Sequence, residues 1–177
     1  EGFRGRIMAV LDASPIIYYG RIGRLRWLRE FYGKLVTTPS IVRETVDEAK
    51  VLGKPGVSTI EEAFREGVLQ VHSLAEEEND LASRVAESER IEIEDAQLIV
   101  LTRKLRDILV TNDKKLILVA KAHGVKTHWA VTPVVLSVKR GKLDKKEAKD
   151  VIGSLVEAGL RIKPETLVSI YRIIENI

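Results

Sequence analysis

Residues 9–17 read AVLDASPII, an apolar run interrupted at its centre by an aspartate, a serine and a proline. The run 7–11 fits a strand buried on both faces and bounded by a turn signal. Pro15 suits the first turn of a following helix, with Ser14 as its cap. Asp12 then stands at the C-terminal end of a central parallel strand, where open α/β sheets bind their ligands. Taken alone, Asp12 reads equally well as a turn or capping residue. The other acids of the chain decide between the two.

Working outward, further strand-like runs occur at 35–37, 68–72, 108–111 and 125–127. Helical patterns lie between them, at 15–32, 39–51, 59–66, 74–87, 94–106 and 113–123. Strands alternating with helices imply an α/β fold, a parallel sheet with helices on both faces. Thr38 and Pro39 read as N-cap and first helical residue, while Gly33, Gly67 and Gly124 sit where helices end. Leu98, Leu101 and Leu105 mark a buried stripe. Beyond Pro133 the pattern is wholly helical, at 134–140, 145–158 and 164–174. Residues 1–133 are thus expected to form the α/β unit. Residues 134–177 are expected to pack their apolar faces on that unit or on a dimer partner.

Composition narrows the chemistry. The chain has 177 residues and no Pro/Gly/Ser-rich linker, enough for one sizeable core. It has no cysteine, which excludes disulfides, thiolate nucleophiles and zinc ribbons, and its 3 histidines show no metal-ligand spacing. No apolar run is long enough to span a bilayer, and the apolar part of EGFRGRIMAVL is too short for a signal peptide. A soluble, cytoplasmic protein is expected. The net charge is only +3, but residues 61–95 carry 12 acidic and 3 basic groups while both flanks are basic. That asymmetry favours a polyanionic partner. The charged fraction of 31% points to a heat-adapted source.

Four acids fall where a doubly wound sheet gathers its ligands. Asp12 ends the first strand, and Glu44 lies in the second turn of the helix entered from the second. Asp95 opens an apolar-striped helix, and Asp113 directly follows the fourth strand. Right-handed crossovers bring all four positions to one sheet edge. Each has a bland alternative: a helix-dipole partner for Asp95, a surface pair with Arg43 or Lys50 for Glu44, a cap for Asp113. Oxygen ligands without His or Cys suit Mg²⁺ or Mn²⁺, and clustered carboxylates need a cation or protons to offset their repulsion. Two such ions about 3.5–4 Å apart can activate a water and stabilise the leaving oxygen of a phosphodiester.

The segments VLDAS (10–14), TTPSIVRETV (37–46), IEDAQLIVLT (93–102) and ILVTNDKKLILVAKAHGV (108–125) resemble, in order and spacing, the four acidic motifs of PIN-domain nucleases. The resemblance implies an α/β/α sandwich on a five-stranded parallel sheet of Rossmann-like topology. It also implies Mg²⁺- or Mn²⁺-dependent endoribonuclease activity on RNA, with single-stranded RNA as the expected substrate. By motif, the acidic site falls on Asp12, Glu44, Asp95 and Asp113, with Asp12, Asp95 and Asp113 as metal ligands. Ser14, Thr111 and Asn112 match the small polar positions beside the first and fourth acids. Glu92 and Glu94 compete with Asp95 for the third acid, and Asn112 stands where relatives often carry another acid. VapC-type toxins share the domain, so an antitoxin and a homodimer are implied partners.

Two further stretches invite a function. RIGRLRWLRE (21–30) interleaves Arg21, Arg24, Arg26 and Arg29 with Trp27. It reads as a phosphate-binding and base-stacking helix, or as a solvated helix whose arginines scatter around its axis. His128 and Trp129 read as packing or interface residues. Two rival functions stand beside the nuclease. One is a non-catalytic RNA-binding or protein-interaction module on the same fold. The other is a phosphatase with a phospho-aspartate, which wants an acid at position 14, where this chain has Ser14.

Overall fold

In the computed structural model, which describes residues 8–177, five short strands form one parallel sheet. They are β1 (Met8–Leu11), β2 (Lys34–Thr37), β3 (Leu69–Val71), β4 (Ile108–Val110) and β5 (Lys126–His128). Their order is β3-β2-β1-β4-β5, with Val10 opposite Val36 on one side and Leu109 on the other. The expected α/β class and parallel sheet are present. Ile7, read as the start of the first strand, lies outside the described residues. Ala9, Val10, Leu11, Leu109 and Val110 are completely buried, as inner parallel strands require. Strand order reverses between β1 and β4, and this seam positions everything that follows.

The crossovers hold α1 (Ala13–Arg21), α2 (Leu25–Tyr32) and α3 (Pro39–Val42), the last running on through a π-helical turn (Arg43–Glu48) into α4 (Ala49–Val51). Next come α5 (Val57–Arg65), α6 (Glu76–Glu89), α7 (Ile93–Leu105) and α8 (Lys114–Ala122). Right-handed crossovers put α1–α5 on one face and α6–α8 on the other. The contacts agree: α1 packs on α5, and α7 packs on β1, β4 and α6. At Gly20 an added Cβ would lie 2.7 Å from Ile60, so α1 and α5 touch almost backbone to side chain. Leu98 and Leu101 of the expected stripe are buried in the core.

Three expectations need correction. The pattern 15–32 is two helices, because Gly23 adopts a positive φ of 69° and ends the first. The helix also begins earlier than the Ser14 cap implied. Asp12 is its N-cap, accepting from the Ala13 amide at 2.7 Å, so Ser14 and Pro15 fall inside the first turn. His128 lies within β5 rather than after it, partly buried and hydrogen-bonded through Nδ1 to the Tyr32 hydroxyl at 2.8 Å.

The tail forms α9 (Thr132–Lys139), α10 (Lys145–Glu157) and α11 (Pro164–Glu175). Val134, Val151, Leu155, Leu160, Ile170 and Ile174 are buried in the same apolar cluster as β1 and β4. The Arg21 guanidinium reaches across to donate to the Ala158 carbonyl at 2.8 Å. Tyr19, fully buried, donates its hydroxyl to the Ala130 carbonyl at 2.6 Å. Among the described residues no helix is long and apolar enough to cross a membrane.

Because the tail shares the core of the sheet, its loss should not be tolerated. A chain ending at Pro133 should aggregate or lose its cooperative melt. Leu155→Ala should cost about 2–5 kcal/mol in denaturant unfolding, the range for a fully buried leucine. A soluble, cooperatively folding truncation, or a Leu155→Ala cost below about 0.5 kcal/mol, would show the tail to be an independent appendage.

Candidate active site

The seam between β1 and β4 opens onto a cleft of ≈ 740 Å³ lined by Asp12, Glu44, Glu48, Glu92, Glu94, Asp95 and Asp113. Four separate chain segments thus deliver acids to one place. Asp12 arrives directly from β1, with its backbone amide continuing the ladder to the Val110 carbonyl at 3.0 Å. Asp113 follows β4, and Asp95 stands in the first turn of α7. The π turn carries Glu44 and Glu48, four residues apart, to the opposite wall. Single π turns inside helices frequently mark functional sites. Here the turn is pinned from within by the buried Thr45 hydroxyl, which donates to the Ile41 carbonyl at 2.8 Å.

Hydrogen bonds fix the floor of the cleft. Thr111 donates its hydroxyl to Asp12 Oδ2 at 2.7 Å and accepts from the Asp113 amide at 3.1 Å. Asp113 caps α8, its Oδ1 accepting from the Leu116 amide at 2.9 Å. The capping reading of Asp113 is therefore real, and it leaves Oδ2 without a protein donor among the described residues. Asn112 is a clamp: it donates to Ser14 Oγ at 3.3 Å and accepts from the Ala130 amide at 3.0 Å. On the far wall Ser40 Oγ donates to Gln97 Oε1 at 2.8 Å and accepts from Arg43 at 3.2 Å, tying α3 to α7.

Confinement changes the acids. Burial chiefly, then the charges of Asp12, Asp113, Glu44 and Glu94, push the Asp95 carboxyl up to about 7. Burial also raises Asp12, opposed by the Thr111 and Ala13 hydrogen bonds and reinforced by Asp113. Glu44 is raised by partial burial and by Asp12, Glu48 and Glu94. Like charges gathered this way are relieved by protons or by a cation.

The donor set is oxygen only, which fits a hard cation. Among the described residues no three acidic or imidazole groups are spaced to grip one ion directly. Mg²⁺ is a hard cation that needs no closed protein cage. This ion keeps several waters and binds through one or two carboxylates together with substrate phosphate.

All four acids expected from the sequence line the cleft, with Ser14 and Asn112 beside them, while Thr111 lies beneath Asp12 and out of the cleft's wall. Glu48, Ser40, Arg43 and Gln97 were missed as contributors. Glu48 was legible from its four-residue spacing to Glu44. The arginines of 21–30 are not brought to the cleft. Arg21 is tied to the tail, Arg24 faces Glu147 at 3.9 Å, and Arg26 pairs with Glu66. Trp27 is stacked between Tyr19 and Phe31. Arg43 is the cation at the rim instead.

The crowding of Asp95 has a measurable sign. Its pKa rises from 3.8 to about 7 on folding, so between those values the folded state binds more protons than the unfolded one. Stability of the metal-free protein should therefore fall as pH rises from about 4 to about 7, then level off. Asp95→Asn should remove the share of that slope due to Asp95, leaving those of Asp12 and Glu44. Above pH 7 it should melt about 2–4 °C higher, matching about 1 kcal/mol after solvent screening of a half-exposed group. Calorimetry of both proteins in EDTA at several pH values decides it. An unchanged slope in the variant would mean that the Asp95 carboxyl is not raised in the folded protein.

No curated protein matches the chain. Among solved structures, PAE2754 from Pyrobaculum aerophilum superposes with a TM-score of 0.51 at 18% identity, covering 68% of this chain and 90% of its own. A domain of a functionally unknown protein from Methanocaldococcus jannaschii gives 0.45 at 19% identity, covering 70% of this chain and 90% of its own. At such identities the first likeness speaks to the fold alone. A family model described as PIN domain matches residues 8–176, nearly every described residue. The chain belongs to the PIN-domain family, and its fold is of the nuclease type.

Proposed function

We propose that this protein is a Mg²⁺- or Mn²⁺-dependent endoribonuclease, hydrolysing phosphodiester bonds of single-stranded RNA to leave 5′-phosphate and 3′-hydroxyl ends. The observation that carries the reading is the convergence of Asp12, Glu44, Asp95 and Asp113, from four segments, on one cleft at the sheet's switch point. Asp12, Asp95 and Asp113 would hold the metal, one or two of them directly and the rest through its bound waters. A divalent ion, when bound, supplies Lewis-acid stabilisation of charge on the scissile phosphate and acidifies water. Thr111 keeps Asp12 and Asp113 in fixed relation through its paired hydrogen bonds. Glu44, on the opposite wall, either completes the ligand set or orients the attacking water as a base. Arg43 at the rim offers a phosphate contact.

One observation favours a second reading, a PIN fold that binds RNA or protein without cleaving. The resemblance to PIN-domain nucleases often places an acid at position 112, and here both ends of the Asn112 amide are committed to Ser14 and Ala130. On that reading the cleft lacks a donor for a second ion. The use of the nuclease as a toxin, held by an antitoxin and acting as a dimer, belongs to the same proposal and stands or falls with activity.

The purified protein should cleave single-stranded RNA in Mg²⁺ or Mn²⁺ and stop in EDTA. Asp12→Asn and Asp95→Asn should each lose on the order of 10²-fold or more in kcat/KM. Mg²⁺ should raise the wild-type melting temperature by mass action, and Asp95→Asn should lose most of that rise. Cleavage that persists in EDTA sinks the metal reading. Absence of both cleavage and a Mg²⁺-dependent melt selects the non-catalytic module.

A further inference from the structure

Beside the acidic cleft, across Asn112, lies a second, smaller groove of ≈ 150 Å³ lined by Asn112, Lys114, Trp129, Arg161, Lys163 and Thr166 together with three aliphatic side chains, so that its charged lining groups are all cationic. Its character is opposite to the cleft's. Lys114, Arg161 and Lys163 are exposed, and none forms an ion pair among the described residues. Trp129 is 45% exposed, and no other aromatic ring stacks on it among those residues. The second tryptophan, Trp27, is stacked between two rings. A large apolar ring held out between three free cations is an arrangement that needs a reason.

The backbone that carries the ring is tied down by hydrogen bonds. The Trp129 amide donates to Thr132 Oγ1 at 3.0 Å, and the Trp129 carbonyl accepts from the Thr132 amide at 3.1 Å. On one side, the His128 carbonyl accepts from the Thr111 amide at 3.0 Å. On the other, the Ala130 amide donates to Asn112 Oδ1 at 3.0 Å, and Asn112 in turn donates to Ser14. Thr111 and Asn112 immediately precede Asp113. The tryptophan thus belongs to a turn whose backbone is bolted to the floor of the acidic cleft, and the two grooves share Asn112 as a common wall.

We infer that this groove is the substrate track of the cleft, binding single-stranded RNA one or a few nucleotides from the scissile bond. One base would stack on Trp129, and flanking phosphates would lie against Lys114, Arg161 and Lys163. The inference rests on the nuclease reading for the direction of the strand but not for its binding. Charge decides the occupant. An acidic cleft without metal repels a polyanion, so affinity has to come from a cationic surface next to it. The exposed ring supplies sequence-tolerant stacking, and the cations track a flexible backbone. The tail contributes two of the three cations, which gives residues 134–177 a part in substrate capture.

The test uses the full chain and a short fluorescein-labelled oligouridylate in EDTA at low salt, so that binding is read without cleavage. Binding should quench tryptophan emission. Trp129→Ala should weaken affinity roughly tenfold, within the range for losing one base–aromatic stack, while Trp129→Phe should restore most of it. Arg161→Ala with Lys163→Ala should flatten the salt dependence of log affinity by about 1.4, as loss of two phosphate contacts predicts for single strands. In Mg²⁺, Trp129→Ala should raise KM with kcat nearly unchanged. Equal affinity and equal KM in Trp129→Ala overturn the track even if the wild type cleaves. Trp129-dependent binding by a protein that never cleaves leaves the track standing and removes the nuclease reading. No binding by the wild type overturns the track. So does a dimer, seen by sedimentation, that Trp129→Ala disperses while RNA affinity stays the same.

Discussion

Carboxylates forced together at the end of β1 repel one another, and much of the surrounding structure holds them in place against that repulsion. Asp12 is stabilised as an anion by two donors, the Ala13 amide and the Thr111 hydroxyl, yet burial still holds its carboxyl above the ordinary range. Asp95 has no such donors among the described residues and is raised to about 7, by burial first and then by its acidic neighbours. The two acids therefore differ in kind. Near neutral pH Asp95 is divided between charged and neutral forms. A cation entering the cleft would displace its proton, which would link cation affinity to pH at this residue.

Such crowding is only tolerable where the backbone is over-determined. The inner strands β1 and β4 are sealed on both faces, so the segments leaving them cannot relax away from each other without opening the core. The opposite wall uses another device. The π turn is bracketed by ordinary helix on both sides, and its buried Thr45 anchors it while Glu44 and Glu48 face the cleft. The Ser40–Gln97 contact then sets the distance between that wall and α7. The far acids are thus located by side-chain hydrogen bonds between helices, whereas Asp12 and Asp113 are located by the sheet.

That division also governs what could be read from the amino-acid order. Asp12 and Asp113 are adjacent to short, wholly apolar runs, and strand ends are marked locally by composition. Their convergence follows from the handedness of crossovers, a rule that needs no side-chain detail. Glu44 and Asp95 were legible as helix residues at the right edge. The widened turn that aims Glu44, with Glu48 beside it, leaves no mark in RETVDE, because Thr45's role depends on burial. The α1–α2 break was missed because the periodicity continues through Gly23, whose positive φ is a backbone fact. The ends of α6 and α7 were blurred for a related reason. Arg90 and Arg106, rather than glycines, take the left-handed position there. Between the two readings of the arginines of 21–30, charge spacing along a helix could not choose, because it does not say which partners tertiary packing will supply.

Asn112 joins these themes. An aspartate in its place would add a ligand but also a further negative charge against Asp12 and Asp113. It would also lose the amide N–H₂ that now donates to Ser14. The amide resolves the conflict in favour of geometry: one end holds the start of α1, and the other holds the turn that presents Trp129. Position 112 therefore exchanges electrostatic capacity for mechanical linkage between the acidic cleft and the basic groove beside it. The tail helices complete that linkage. They bury their apolar faces in the sheet's own core while leaving Arg161 and Lys163 free at its surface. A segment whose sequence shows only apolar faces in need of cover is thus placed where it can both stabilise the fold and flank the basic groove.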